Sequence, residues 1–263
     1  MAWAPWWEQA SISVSARLSK RDAPGYEAIS QPATEVVDLL RQLKTTAGRP
    51  IAAAEIGVGI GASTIEFVRE LGAEDELHLF DRDPVLTEVL TEIEAVRTAS
   101  GVTVVPHGNE AKLLASYAWE IATMLRRLDR RRKSTEIFDF VYLDGAHAFH
   151  HDAAACSLLM RMIRPGGYLV VDDMNWTFNS SPTLNPTKRP DIGAQFTDEQ
   201  LSTPHVALVV DVLVRHDPRF VEVTTSTRKR PRRAVFRRLS RAEMIRRALR
   251  WRLARLRRKA IGR

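Results

Sequence analysis

Carboxylate side chains end two strongly apolar segments of this sequence. Asp144 closes the first segment in FVYLDGAH, and Asp172 and Asp173 close the second in LVVDDMNW. If both segments are strands that end beside a glycine-rich loop, their carboxylates can hold a divalent cation next to a bound nucleotide-like ligand. These residue types and positions indicate the active site of an enzyme.

A glycine-rich segment supplies such a loop. Residues 55–63 read EIGVGIGAS. Gly57, Gly59 and Gly61 therefore lie where a predicted strand turns into a helix, so the backbone can approach a nucleotide and the helix N-terminus faces it. Asp81 follows the next predicted strand, where an acidic side chain can accept hydrogen bonds from both ribose hydroxyls.

Two common phosphate-binding motifs are absent from this loop. The dinucleotide pattern G-x-G-x-x-G is not met, because Ala62 stands in place of its last glycine. The lysine of the Walker motif is missing as well, which argues against ATP as a phosphoryl donor. The loop therefore predicts nucleotide binding of another kind.

The segments that carry these residues alternate between strand and helix patterns. Near-continuous apolar strands are predicted at residues 51–57, 77–81, 102–109, 138–144 and 168–173, with helices between them. This alternation predicts an α/β fold in which a parallel sheet is covered by helices on both faces.

The second half of the chain departs from this alternation. The last of the connecting helices is predicted at residues 152–167, and a further helix at 205–216. Between them, residues 174–204 are rich in Asn, Ser, Thr and Pro, which predicts a lid over the substrate or a mobile loop. Residues 219–227 and 233–239 are predicted to be a closing pair of strands.

Basic residues are concentrated at the end of the chain. Residues 228–263 hold 17 of the 39 basic residues but only Glu243 of the 32 acidic ones, a net charge of +16 against −9 for the remainder. From residue 242 onwards the pattern predicts a basic amphipathic helix whose apolar positions are Ile245, Leu249, Leu253, Leu256 and Ala260.

Such a helix is suited to several partners. An anionic membrane surface is the favoured one. A protein partner or the body of the same chain, nucleic-acid phosphates, and a solvated arm are the alternatives. Nucleic acid is less favoured, because no basic sheet motif with interleaved aromatic residues is visible.

The remaining composition bears on location. Cys156 is the sole cysteine, which excludes an intrachain disulfide and a cysteine metal cluster. The opening AWAPWWEQA lacks the basic and apolar regions of a signal peptide, and no run of about eighteen apolar residues occurs. We therefore expect a cytoplasmic protein, either free or peripheral at the inner face of the membrane.

Taken together, the motifs resemble class I S-adenosylmethionine-dependent methyltransferases. The likeness covers about residues 34–240 and follows the order E-x-G-x-G-x-G, D, G-N, D-G-A-H, P-G-G, D-D. It implies a Rossmann-like, doubly wound, seven-stranded sheet with the last strand antiparallel. An aromatic-rich cap at 1–33 and the basic helix at 241–263 would flank this domain.

The resemblance also implies a binding site for S-adenosylmethionine. Glu55 would contact the amino-acid end of the cofactor through the loop, and Asp81 would hold the ribose. Asn109 would lie near the adenine, where many relatives carry an aspartate. The other implied cofactor contacts are Gly57, Gly59, Gly61, Ser63 and Asp144.

The strand ends narrow the resemblance to Mg²⁺-dependent sugar O-methyltransferases of the macrolide (mycinamicin) and aminocoumarin type. The Asn-Pro-Pro-Tyr motif of amino methylation and the Pro-Cys nucleophile of pyrimidine methylation are absent from the sequence. The likeness implies Asp144, Asp172 and Asp173 as Mg²⁺ ligands, Asp144 and His147 as catalytic residues, and His147 as the general base.

The implied reaction is Mg²⁺-assisted methyl transfer from S-adenosylmethionine to a hydroxyl of a sugar in a glycan, glycolipid or glycosylated natural product. A bound cation lowers the pKa of a hydroxyl that it coordinates, and a histidine with an ordinary pKa can take the proton. Since relatives with this metal pattern are often oligomeric, a homo-oligomer is one of the expected forms.

Other functions and roles stay open from the sequence. A metal-independent methyltransferase acting on a small molecule would use the carboxylates for structure or cofactor binding only. An RNA-associated, cofactor-binding protein would use its basic segment to bind phosphates. His150 and His151 compete with His147 for the role of base, and Trp176 either enters the acceptor site or packs the lid.

Overall fold

The computed structural model describes residues 31–110, 116–223, 231–247 and 249. Its strands are β1 (Ala52–Ile56), β2 (Glu76–Arg82), β3 (Thr103–Asn109), β4 (Phe138–Leu143), β5 (Ile163–Val171), β6 (Phe220–Glu222) and β7 (Ala234–Arg238). They form one seven-stranded sheet in the order β3-β2-β1-β4-β5-β7-β6.

Helices connect these strands. They are α1 (Thr34–Ala47), α2 (Ala62–Glu70), α3 (Asp83–Ser100), α4 (Tyr117–Arg130), α5 (Phe149–Met162), α6 (Pro190–Gln195), α7 (Asp198–Ser202) and α8 (His205–Val209). α8 continues as a π-helical turn, Val210–Val214. Residues 241–247 are also helical.

The sheet has the predicted topology. Strands β1 to β5 pair in parallel, which brings their carboxyl ends to one edge, here called the carboxyl edge. β7 lies between β5 and β6 and runs antiparallel to both. The prediction of a seven-stranded α/β sheet with its last strand antiparallel is therefore confirmed.

Both faces of the sheet are covered by helices. Every residue of β1 and β4 is buried, which agrees with their almost entirely apolar sequences AAAEI and FDFVYL. One face packs against α4, α5 and α8 through Ile121, Leu159 and Val209, and the other packs against α1, α2 and α3 through Leu40, Phe67 and Val89.

One predicted helix boundary was wrong, and one predicted helix changes its type along its length. The helix predicted at 152–167 ends at Met162, because Pro165 has no backbone N–H to continue it and restricts the preceding residue to extended backbone. Gly166 has φ 89°, and the pairing of β4 with β5 shifts its register here. The helix predicted at 205–216 changes to a π-helical turn halfway along its length.

The segment predicted as a lid or mobile loop is folded. Residues 174–204 contain α6 and α7 and pack with Ala148 around Phe178, Ile192 and Leu201. His205 ties this segment to the core: its Nδ1 accepts from the Phe149 N–H at 3.1 Å, and its Nε2 lies 2.8 Å from the Gln200 carbonyl oxygen. Its role as an acceptor lid stays a prediction.

Some predictions fall outside the described residues. The aromatic-rich cap is predicted at 1–33, of which residues 1–30 are not described, and most of the basic helix at 241–263 is not described either. Among the helices that the structure describes, none is long and apolar enough to cross a membrane.

Candidate active site

The glycine-rich loop fits tightly against the end of β4. Gly57 has φ 82°, and its N–H donates to the Phe80 carbonyl oxygen at 2.9 Å. A Cβ atom at Gly57 would lie 2.0 Å from the backbone oxygen of Asp144, so only glycine fits there. Gly59 has φ 56° and open space around it. The loop therefore leaves room for a ligand at its outer turn.

The N-terminus of α2 faces this open space. Gly61 is its N-cap, with φ 78°, and no side chain caps the first N–H groups of the helix. Uncapped N–H groups at a helix N-terminus favour a ligand with a negative charge, such as a carboxylate. Ser63, a predicted cofactor contact, accepts a hydrogen bond from the Ala33 N–H at 3.1 Å and so holds the start of α1.

Glu55 supports the loop from inside the sheet. Its side chain is buried and its Oε2 accepts a hydrogen bond from the Thr64 hydroxyl at 2.7 Å. Burial, and then the nearby carboxylates of Asp144 and Asp81, raise the pKa of Glu55 well above its ordinary value. Glu55 therefore accepts a hydrogen bond from α2 directly, and the loop lies between Glu55 and the site.

Asp81 holds the loop as well. Its Oδ2 accepts from the N–H groups of Val58 at 2.7 Å and Gly59 at 3.0 Å, and its Oδ1 accepts from the Arg82 N–H at 2.7 Å. Asn109 donates from its Nδ2 to the Asp81 carbonyl oxygen at 3.2 Å. β2 and β3 thus place both predicted cofactor contacts beside the loop.

The side chains of Asp144, His147 and Asp173 converge next to the glycine-rich loop. One ligand atom from each lies within 4.8 Å of the others. His147 Nε2 is 3.4 Å from Asp173 Oδ2 and 3.8 Å from Asp144 Oδ1. His147 and Asp173 have φ values of 54° and 55°, a costly conformation for residues other than glycine. Residues held in this way are concentrated at functional sites.

Asp144 is the most perturbed member of this cluster. Burial raises the pKa of Asp144 to about 7, and repulsion by Asp172 and Asp173 adds to the shift, while attraction to His147 opposes it. The Tyr142 hydroxyl lies 3.1 Å from Asp144 Oδ2. A bound cation would remove this repulsion, so the cluster suits a cation better than it suits an empty state.

Asp172 has a different environment from the one predicted. Its Oδ1 accepts from Arg232 Nε at 3.0 Å and from the Asp173 N–H at 2.7 Å. Its Oδ2 bonds the Tyr142 hydroxyl and Arg233 Nε, the latter at 2.9 Å. Although burial opposes the change, Arg233 and Arg232 lower the pKa of Asp172.

The three side chains that converge, Asp144, His147 and Asp173, differ at one position from the set predicted as Mg²⁺ ligands. Asp172 is buried and both its oxygens are already bonded, whereas His147 points its Nε2 at the other two carboxylates. Arg232 also bonds Asp173, at 2.7 Å from Nε to Oδ1, which leaves Oδ2 directed at His147.

Two residues that hold the segment 145–147, which carries His147, were not predicted from the sequence. Tyr117 donates its hydroxyl proton to Asp152 Oδ1 and accepts from the Ala146 N–H at 3.0 Å. Asp152 also accepts from the backbone of Ala146 and His147. A Cβ at Gly145 would lie 2.5 Å from both side chains. Nothing in the sequence links Tyr117 to Asp152, 35 residues away.

Aromatic side chains border the cluster on the side of residues 174–204. The Trp176 ring lies 5.2 Å from the His147 ring and 4.8 Å from Phe178, and Phe178 lies 4.4 Å from Phe196. We call Trp176, Phe178 and Phe196 the aromatic wall. Trp176 therefore both packs this segment and borders the site.

The two competing histidines lie elsewhere. His150 contacts Phe196 and His151, with ring centroids 6.1 and 4.2 Å apart. Burial lowers the pKa of His151 to about 4, so its ring is neutral. Within the described parts of the chain, His147 is the member of this trio that contacts the carboxylates of Asp144 and Asp173.

Comparison with known proteins agrees with this geometry. A family model described as Methyltransferase domain matches residues 54–174, from β1 to just beyond β5. An O-methyltransferase from Bacillus cereus, solved in complex with SAH, is 16% identical, with TM-score 0.53 over 89% of this chain and 93% of that one.

A second solved structure aligns equally well. TomG from Streptomyces achromogenes, an O-methyltransferase involved in tomaymycin synthesis and solved with SAM, is 17% identical, with TM-score 0.51 over 88% of this chain and 91% of that one. No curated protein sequence matches the chain significantly. These structures share the fold, and residues 54–174 match the model of a methyltransferase domain, in agreement with the predicted enzyme class.

Proposed function

We propose that this methyltransferase of the class I fold moves a methyl group from S-adenosylmethionine to a hydroxyl oxygen of a sugar, assisted by a divalent cation. The observation that carries the proposal is the convergence of Asp144, His147 and Asp173 within 4.8 Å, beside an open glycine loop. The loop would bind the cofactor, and the cluster would activate the acceptor hydroxyl.

The residues around the loop fit S-adenosylmethionine. The uncapped N-terminus of α2 suits the carboxylate of its amino-acid end, and Asp81, beside the loop, would accept hydrogen bonds from the ribose hydroxyls. S-adenosylmethionine supplies the methyl group from its sulfonium centre. The protein contributes position, which accounts for much of the rate in a displacement reaction.

Asp144 and Asp173 are the residues that would hold the cation. Their carboxylate oxygens are hard ligands of the kind that Mg²⁺ selects, and Mg²⁺ keeps sites open for substrate oxygens. Such a cation lowers the pKa of a coordinated hydroxyl. Asp172 then serves as a support, since it fixes the Asp173 backbone and binds Arg232 and Arg233.

His147 is the general base in this proposal. A hard cation leaves imidazole nitrogens free in favour of oxygen ligands, so Nε2 can accept the proton of the acceptor hydroxyl. The imidazole is positioned by the Trp176 ring beside it and by the hydrogen bonds that the backbone N–H groups of Ala146 and His147 donate to Asp152. With a softer cation such as Zn²⁺, His147 would instead be the third ligand.

The aromatic wall favours a sugar as the acceptor. Trp176 offers a partly exposed apolar surface beside His147, and the buried Phe178 packs behind it against Phe196. A pyranose ring combines an apolar face with hydroxyls at its rim, which matches an apolar wall next to a few polar groups.

Arg232 supports a second candidate function, metal-independent methylation. Its guanidinium lies 3.0 Å from Asp172 and 2.7 Å from Asp173, so these carboxylates already have a positive partner. In that case Asp144 and His147 would act together as the general base, without a cation. The acceptor would then be more acidic than a sugar hydroxyl, such as a phenol.

Isothermal titration separates these candidates. Wild-type protein is titrated first with S-adenosylhomocysteine and then with Mg²⁺, alongside Asp144→Asn, Asp173→Asn and the exposed control Asp198→Asn. We expect wild type and control to bind both ligands, and the two site variants to bind S-adenosylhomocysteine only. Turnover with sugar acceptors should stop when a chelator is added.

Two outcomes would overturn the proposal. Failure of the wild-type protein to bind S-adenosylhomocysteine would reject the cofactor. Methylation that is insensitive to the chelator, or Mg²⁺ binding that survives in both site variants, would reject the cation and favour the second candidate.

A further inference from the structure

The basic helix at the end of the chain begins with a defined cap. The Ser240 hydroxyl accepts from the Glu243 N–H at 3.2 Å, and Glu243 accepts from the Ser240 N–H at 2.8 Å, which is a capping box. Glu243 also forms an ion pair with Arg237 at 2.6 Å. The sole acidic residue of the region 228–263 is therefore neutralised at the base of the helix.

The helix then exposes large apolar side chains. Ile245 is 53% exposed and Leu249 is 52% exposed, and their spacing of four residues puts them on one face. Arg247 donates to the Phe220 carbonyl oxygen at 3.3 Å, so the opposite side of the helix contacts β6. The apolar face thus points away from the body of the protein.

The sequence beyond this point repeats the same pattern. Leu253, Leu256 and Ala260 continue the spacing of Ile245 and Leu249. Residues 241–263 contain ten basic residues against one acidic residue. A helix of this sequence would have one narrow apolar face and a basic remainder, which matches an anionic bilayer, where apolar side chains enter the interface and the cations meet lipid phosphates.

The position of this helix in the fold adds a constraint. β7 starts at the carboxyl edge, where Ala234 pairs with Val171, and ends at the opposite edge beside Ile163. The helix therefore starts on the far side of the sheet from Asp144 and Asp173. A surface bound there leaves the candidate active site uncovered.

We propose that the helix beginning at Ser240 docks this protein onto an anionic lipid surface through Ile245, Leu249 and the basic residues around them, with the active site directed away from the lipid. The proposal is independent of the methylation chemistry. Its occupant is a phospholipid bilayer of negative charge, which complements both the apolar face and the net charge of this segment.

Vesicle co-sedimentation of the full chain tests the proposal. The probes are vesicles of phosphatidylcholine alone and vesicles of phosphatidylcholine mixed with phosphatidylglycerol. The variant Ile245→Gln/Leu249→Gln keeps every charge but removes the apolar face. Its matched control is Leu208→Gln/Val212→Gln, because these residues are also four apart, apolar and exposed on another helix.

We expect wild type and the matched control to bind the anionic vesicles and not the neutral ones. Ile245→Gln/Leu249→Gln should lower the partition coefficient by at least about tenfold, because two apolar side chains no longer leave water. The affinity for S-adenosylhomocysteine should be unchanged by vesicles. Thermal unfolding of each variant confirms that it is folded.

Three results would overturn the proposal. Equal binding to neutral and anionic vesicles would remove the charge complementarity. Full binding by folded Ile245→Gln/Leu249→Gln would show that the apolar face is not used. Failure to bind anionic vesicles, together with salt-sensitive binding to RNA, would assign the basic segment to nucleic-acid phosphates instead.

Discussion

The two edges of the sheet use the same residue type in opposite ways. At the edge where the strands begin, Asp139 is buried and its carboxylate accepts from Arg49, Arg164 and the Ala52 N–H. At the carboxyl edge, Asp144 faces His147, and Asp173 divides its two oxygens between Arg232 and His147. Among the described residues, Asp139 is satisfied by two arginines, whereas Asp144 has a histidine, 3.8 Å away, as its ion-pair partner.

A second carboxylate shows the same saturation at the first edge. Asp75 accepts from the N–H groups of Ile51 and Gly72, both at 2.9 Å, and from Lys44, also at 2.9 Å. Although burial opposes the change, these bonds lower the pKa of Asp75, whereas the pKa of Asp144 rises to about 7. Saturated carboxylates stabilise a fold, and unsaturated ones are available for chemistry.

The largest expected effect is on activity at the carboxyl edge. Asp144→Asn and Asp173→Asn should each lower turnover by about a hundredfold or more, because each would remove a ligand of the proposed cation. Asp144→Asn should not lower the unfolding free energy, since it removes like-charge repulsion. Asp173→Asn should lower it by less than about 1 kcal/mol, because it also loses the partly exposed ion pair with Arg232. Initial rates and urea unfolding check the two halves of this prediction, and full activity in either variant would contradict it.

At the opposite edge the effect should be on stability instead. Asp139→Asn leaves Arg49 and Arg164 without their carboxylate and should cost about 2 kcal/mol, less than a fully buried pair because both arginines are partly exposed. Affinity for S-adenosylhomocysteine should not change. Urea unfolding and calorimetric titration measure these quantities, with exposed Asp198→Asn as the control.

If folded Asp139→Asn instead kept its stability and lost turnover, the division between the two edges would be wrong.

A smaller effect is expected at Tyr117, which holds the segment that carries His147. Tyr117→Phe removes the hydroxyl that bonds Asp152 and the Ala146 N–H, so the loop carrying His147 loses part of its support. We expect about 1 kcal/mol of lost stability and about tenfold weaker Mg²⁺ binding. Tyr168→Phe is the control, because Tyr168 lies in β5 away from this loop. Unchanged Mg²⁺ affinity would limit Tyr117 to a packing role.

The smallest effect concerns pH. Burial lowers the pKa of His107 to about 4, and His78, whose Nδ1 lies 2.9 Å from His107 Nε2, also has a lowered pKa because of burial. The unfolded chain binds protons at the ordinary value of 6.5, so it binds more protons than the folded chain between that pH and 4.

Stability should therefore fall as the pH drops from 6.5 towards 4, and His107→Gln should flatten this slope. Urea unfolding at a series of pH values checks the prediction. An unchanged slope in the variant would show that other groups dominate acid sensitivity.

The sequence predicted which residues lie at the carboxyl edge better than it predicted their hydrogen-bond and ion-pair partners. Strand ends could be located because apolar runs stop at Glu55, Asp81 and Asp144, and parallel strands bring such ends together. The sequence did not show that Asp172 binds two arginines while Asp173 directs one oxygen at His147. That difference depends on the positive φ of Asp173 and on β7, which returns Arg232 and Arg233 to the end of β5.

Residues 174–204 show the same limit. Their polar composition predicted a loop, yet Phe178, Ile192 and Leu201 are too widely spaced to show a helical or strand pattern and still form a small core. Their packing against Ala148 and the contact of His205 with Gln200 help to make the segment compact. Composition reports local preference, whereas this core depends on contacts between distant residues.

The most direct test of the account is a Mn²⁺ titration of the S-adenosylhomocysteine-loaded protein, followed by electron paramagnetic resonance. Mn²⁺ shares the oxygen preference of Mg²⁺ and gives a signal from the free ion. We predict one bound Mn²⁺ per chain in wild type and in Asp198→Asn, and none in Asp144→Asn or Asp173→Asn. Equal Mn²⁺ binding in all four proteins would contradict the assignment of the cation to this edge of the sheet.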